Sequence, residues 1–198
     1  MNKILLGGFL GGIILWVWGF VAWMVLPFHL SVMRAVPDES AVVEALRRSL
    51  PSKGVYVIPW MPSETSGMTP EQMETAMVAY TEKLRSGPNA MIFYNPGGKD
   101  PFMTGQMISG LFIFISTASI VSWLLSRSTA AAGSYLSGVI YCGMIGILVA
   151  VGTHLSDWNW MGFPFDWTRG LMLDSVVGWL LAGLGISAVV RQKRSGPA

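Results

Sequence analysis

Charge is scarce in this chain. Only 12% of its residues are Asp, Glu, Lys or Arg, about half the ~25% usual in soluble domains. A net charge of +2, with no basic cluster interleaved with aromatics, excludes a nucleic-acid surface. The one cysteine, Cys142, excludes an intramolecular disulfide and a cysteine-based zinc site. Imidazoles number two, His29 and His154. No nucleophile elbow or glycine-rich nucleotide loop occurs. Gly97-Gly98-Lys99 has the wrong spacing for a Walker A loop and carries Asp100 where Ser or Thr belongs, so it reads as a turn. These absences leave no catalytic residue to assign, and no cofactor is named by the sequence.

What is present is apolar length. Hydrophobic residues make up 52% and mean hydropathy is +0.51. Four runs, Ile4–Leu26, Gly105–Leu125, Ala130–Val151 and Leu171–Val190, each match the roughly 20 residues that cross a hydrocarbon layer. The expected fold is a membrane all-α bundle of four transmembrane helices with a small α+β extracytoplasmic cap between helices 1 and 2. The first span (1–27) lacks a cleavage signature before Pro27 and reads as a retained signal anchor. The cap covers 28–103 and the second and third spans 104–127 and 128–155. An outer aromatic loop follows at 156–169, then the fourth span at 170–191 and a tail at 192–198.

The charges sort by side. The N-terminus, the connection between spans two and three, and the C-terminus contain Lys3, Arg127, Arg191, Lys193 and Arg194 and no acid. The positive-inside rule then puts both termini in the cytoplasm and 28–103 outside.

The cap has its own pattern. Asp38–Leu50 shows helical spacing, and Thr69-Pro70-Glu71-Gln72 is a capping-box start for a second helix ended by Gly87-Pro88. Gly54–Trp60 and Asn89–Tyr94 are strand candidates, compatible with a right-handed parallel crossover. Two strands and two helices make a thin core, so the cap is expected to rest on the outer helix ends or on a partner.

Gly7, Gly8, Gly11 and Gly12 form overlapping Gly-xxx-Gly pairs, and Ser175, Gly178, Ala182 and Gly183 form a small face on the fourth span. Such faces fit a tight bundle, a homo-oligomer or a larger membrane complex. Membrane lipids are the other expected partners. Trp16 and Trp18 lie deep in the first span and face different sides, while Trp23 suits an interfacial belt.

The chemically interesting residues gather toward one side. His29 and His154 each follow the outer end of a span and, with Asp157, are candidate ligands for haem or a metal ion. Trp158, Trp160, Phe163 and Trp167 form the aromatic loop, which anchors depth or roofs a pocket for a lipid tail or quinone. Asp174 is the sole acid inside a span; Arg169, five residues earlier, is its expected structural partner, ahead of a proton-relay role.

The segments GVYVIPW, SGPNAMIFYNPGGKDP, DWNWMGFP and VVGWLLAGL, with Trp23-Met-Val-Leu-Pro27-Phe-His29 at the end of span one, resemble a family of uncharacterised bacterial four-helix inner-membrane proteins. The resemblance covers nearly the whole chain. It implies a bacterial inner-membrane location with periplasmic exposure of the aromatic loop, and it implies no activity or cofactor. The expected function is a non-enzymatic accessory or interaction subunit. The alternative is a lipid-, quinone- or haem-binding protein using the extracytoplasmic interface, and an enzyme or transporter built on Asp174 stands third.

Overall fold

The structure, a computed structural model, describes residues 2–190; Arg191, Lys193, Arg194 and the 192–198 tail lie outside the described residues. In chain order the helices are α1 (Lys3–Phe20), α2 (Glu39–Ser49), α3 (Pro70–Ser86), α4 (Thr104–Arg127), α5 (Thr129–Ala132), α6 (Tyr135–Val149), α7 (Ser156–Met161) and α8 (Phe165–Val190). The strands are β1 (Gly54–Ile58) and β2 (Ala90–Tyr94). The chain forms two compact units, one running to Ala35 and resuming at Asp100, the other spanning Val36–Lys99.

The first unit is the helical bundle. A π turn at Val21–Val25 prolongs α1, and another at Ala150–Leu155 joins α6 to α7 without a break. Four continuous helices result, of 23, 24, 27 and 26 residues, each long and apolar enough to cross a membrane. Their outward faces carry exposed Phe9, Phe112, Ile113 and Leu148, as a lipid solvent permits. The core is made of small or compact residues: Ala118, Cys142, Ala182 and Ile186 are all fully buried.

Helix α1 packs on both α4 and α8, and α6 packs on α8. The glycines of α1 make this possible. A Cβ on Gly12 would sit 2.5 Å from Ile115 Cα, and one on Gly8 2.6 Å from Ser119 Cα. The Gly7 and Gly11 positions close against Ser122, Val190 and Ile186 of α4 and α8. All four glycines are therefore used inside the bundle, and none of them is open to a second copy.

Helix starts follow their side-chain caps. Asp100, not a phosphate-loop residue, accepts the Phe102 and Thr104 amides at 3.0 Å each and opens α4. These backbone donors hold its carboxyl below the usual range.

In the second unit the capping box forms as read. Thr69 Oγ1 accepts the Gln72 amide at 3.3 Å, and Gln72 Oε1 accepts the Thr69 amide at 2.9 Å. The parallel crossover does not form. β1 and β2 pair antiparallel, from Gly54 opposite Tyr94 to Ile58 opposite Ala90. The physical reason lies in the helices. Neither α2 nor α3 has a fully buried residue, so the sheet's cover is thin. A parallel pair needs full cover, whereas an antiparallel pair tolerates an open face. Val55 and Phe93 accordingly stay exposed.

The connection between the last two spans also differs from the aromatic loop expected at 156–169. Helix runs to Met161, resumes at Phe165, and only Gly162, Phe163 and Pro164 lie between. Gly162 takes the left-handed conformation, φ 68°, that terminates a helix. The aromatics are thus distributed over two helix ends.

Candidate functional site

Asp174 projects from α8 into the bundle and organises the site. The Trp18 indole of α1 donates to its Oδ1, and also approaches the Asp174 carbonyl at 3.2 Å. His29 Nε2 lies 3.2 Å from Oδ2. A carboxylate can only accept, so the Nε2 proton is assigned to His29.

Local sequence makes each of these approaches possible. Gly178, one turn beyond Asp174, has no side chain where a Cβ would lie 2.9 Å from Trp18 Cδ1; the indole fills that space. After α1 the Pro27-Phe28-His29 turn folds back, with the Ser31 amide bonded to the Pro27 carbonyl at 2.8 Å. It delivers His29 to full burial. There the imidazole stacks on Trp23, with centroids 4.0 Å apart and planes at 9°, and Trp167 meets both rings edge-on. Trp23 lies in the π turn, which shifts side chains off the ordinary helical sequence of faces.

The expected Arg169–Asp174 pair is not made. Five residues along an α-helix turn by about 140°, which sends the two side chains to different faces. Arg169 instead lies 3.4 Å from Asp166, one turn away, and both are largely exposed. A surface pair of that kind contributes ~0–1 kcal/mol.

The candidate trio His29, His154 and Asp157 does not assemble. Among the described residues no three His, Cys, Asp or Glu side chains converge on a metal position. His154, in the second π turn, has its Nε2 2.9 Å from Ser175 Oγ of α8. Both Nε2 atoms are engaged by protein side chains and His29 is closed in by aromatic rings, so the pair does not fit axial haem ligation. Of the aromatic group, Trp167 alone reaches His29; Trp158 packs edge-on against Phe165 and Trp160 is largely exposed. Phe163 is half-buried. Trp16 points to the other side and donates to the Met107 carbonyl of α4.

A cavity of about 370 Å³ lies beside this network. All four long helices contribute. Leu15, Trp18, Gly19 and Trp23 come from α1 and its π turn, and Ile113, Phe114 and Thr117 from α4. Val149 and His154 come from the third span, and Asp174, Ser175, Gly178 and Trp179 from α8. The walls are apolar and aromatic, and polar side chains are few: Asp174, Ser175, His154 and Thr117. That combination is the usual form of a small-molecule site. Its size lies within the 300–1,000 Å³ range of such sites.

Sequence reasoning named His29, His154 and Asp174 but missed that Asp174 joins His29 to Trp18. The available signal was elimination: a lone intramembrane acid needs a partner, and Arg169 sits at the wrong angle. Comparison with protein-family models, curated proteins and solved structures gave no match.

Proposed function

We propose that this chain is a multi-pass protein of a bacterial inner membrane that binds a lipid-soluble ligand between its helices, serving as a non-enzymatic subunit. The cavity carries this reading: four helices line a half-open apolar cleft with polar side chains at Asp174, Ser175 and His154. Such a space suits a long-chain lipid or a quinone-type molecule, with chain against Leu15, Ile113 and Val149 and head near the polar groups. The accessory role rests on the lack of any catalytic motif, and the bacterial origin on the family resemblance.

Gly19 supplies the test. A Cβ there would touch only Phe114, at 3.9 Å, so a larger side chain enters the cavity without striking backbone. Gly19→Phe is expected to abolish retention of the ligand that wild type carries through purification in mild detergent. Mass spectrometry of the organic extract reads this out, with the thermal midpoint in lipid-free detergent as the folding control. Equal retention by a folded Gly19→Phe protein would overturn the proposal.

The orientation reading rests on Lys3 and Arg127 in the short segments of one side, the bases of the long 28–103 segment lying beyond the reach of the short-loop rule. In a Cys142→Ala background, a membrane-impermeant maleimide applied to spheroplasts is expected to label Gly98→Cys and spare Ala130→Cys. The opposite pattern would invert the topology.

A further inference from the structure

The polar end of the cavity has a definite hydrogen-bonding character. Two donors already reach the Asp174 carboxylate, the Trp18 indole and the His29 imidazole. A carboxylate has about four lone-pair sites, and its side chain, 20% exposed, lines the cavity. As a carboxylate it therefore offers unused acceptor capacity to an occupant.

Ser175 is the neighbouring group. Nδ1 of His154 is buried with no partner among the described residues. Orphaned buried N–H groups are rarer than unsatisfied acceptors, so the proton is assigned to Nε2, which donates to Ser175 Oγ. The Ser175 hydroxyl then has its own proton to give. Acceptor and donor sit on adjacent residues at one cavity end.

We infer that the cavity selects a long-chain molecule whose head is a neutral hydroxyl, able to donate to Asp174 and to accept from Ser175. This rests on the ligand-binding reading above and narrows it. A carbonyl head, as in an oxidised quinone or an aldehyde, accepts only and leaves the carboxylate without a donor. A fatty acid or phosphate brings like charge toward Asp174, an unfavourable contact in a low-dielectric site. The same hydroxyl chemistry has two sources, an isoprenoid quinol and a polyprenol-type alcohol.

Equilibrium binding to the full-length wild-type protein in detergent separates the possibilities, followed by the change in intrinsic tryptophan fluorescence, to which Trp18, Trp23 and Trp179 contribute from the cavity wall. The probes are geranylgeraniol, its aldehyde and its carboxylic acid, with decylubiquinol and decylubiquinone. The alcohol is expected to bind at least tenfold tighter than the aldehyde or acid, or the quinol tenfold tighter than the quinone. Whichever hydroxyl probe binds identifies the source. Asp174→Asn, which adds N–H donors, is expected to erase or reverse the preference, and Ser175→Ala to reduce it several-fold. Equal affinity for all heads, or tighter binding of a carbonyl or acid, would overturn the inference and leave the ligand-binding proposal standing. If no probe binds and the Gly19→Phe protein retains the same extractable lipids as wild type, the ligand-binding proposal itself falls.

Discussion

Asp174→Ala is expected to lower the stability of the bundle by roughly 1–3 kcal/mol, since it orphans the His29 ring donor and leaves the Trp18 indole only the residue-174 carbonyl. The Trp18 N–H loses its carboxylate but keeps the residue-174 carbonyl at 3.2 Å. His29 is the more serious loss, because it is fully buried and its other nitrogen, Nδ1, already has no partner among the described residues. Water is the alternative partner in a soluble protein, but the Trp23 stack and Trp167 edge close around the ring. Asp174→Asn is expected to cost less, about 1 kcal/mol. Its carbonyl still serves Trp18, and its amide donates once His29 shifts to the other tautomer, a shift that leaves a buried Nδ1–H with no partner among the described residues and accounts for the expected loss. Neutral side-chain hydrogen bonds average ~0.6 kcal/mol in membrane helices. The measurement is reversible unfolding in mixed micelles for the wild type, the two Asp174 variants, His29→Ala and the Asp174→Ala/His29→Ala double variant. If Asp174 and His29 act as a pair, the double variant loses less than the sum of the single losses. Additive losses would mean that the 3.2 Å contact contributes nothing to stability.

The helices were legible because membrane spans are written in length and composition alone. Lys3 and Arg127 stand near the ends of apolar runs, and the first two observed spans match the expected ones closely. The third starts only at Tyr135, after the short α5, and runs on to Met161, and the fourth starts early, at Phe165. In the third the eye stops at polar His154, Ser156 and Asp157, while the backbone continues helical to Met161. Polarity marks where hydrocarbon ends, which is a different boundary from where hydrogen bonding of the helix ends. The cap helices were legible through caps, since Thr69 and Gln72 satisfy each other across three residues. Strand direction was not, because it depends on whether α3 covers the sheet, a tertiary fact. The site divides the same way. That Asp174 is exceptional was visible from its position in an apolar run. Its partners were not, because Trp18 and His29 lie 156 and 145 residues away. What brings them in is the absence of a side chain at Gly178 and the turn after Pro27, neither of which announces a destination.

Gly12→Val is expected to be the most damaging single substitution in the bundle. The added Cβ alone would lie 2.5 Å from Ile115 Cα and 2.7 Å from Ile115 N. The obstacle is backbone, so no rotamer change in α4 relieves it. Overpacking a well-fitted site costs about 1–3 kcal/mol where side chains can yield, and here the helices themselves must separate. Separation carries a second cost, because α1 also lies against α8 on the Gly7 and Gly11 side. Moving α1 off α4 without pressing on Ile186 or Val190 would draw Trp18 away from Asp174. Loss of helix packing and loss of the polar network should therefore appear together: a thermal midpoint in detergent lowered by about 10 °C or more, with the intrinsic tryptophan fluorescence changed even in the surviving folded fraction. Gly110→Ala is the control, on α4, the helix that Gly12 abuts, but with nothing within 4 Å of an added Cβ; it should leave the midpoint unchanged or slightly raised. A Gly12→Val protein as stable as that control would mean that α1 and α4 do not approach as closely as their glycines allow, and the cavity between them would need a different shape.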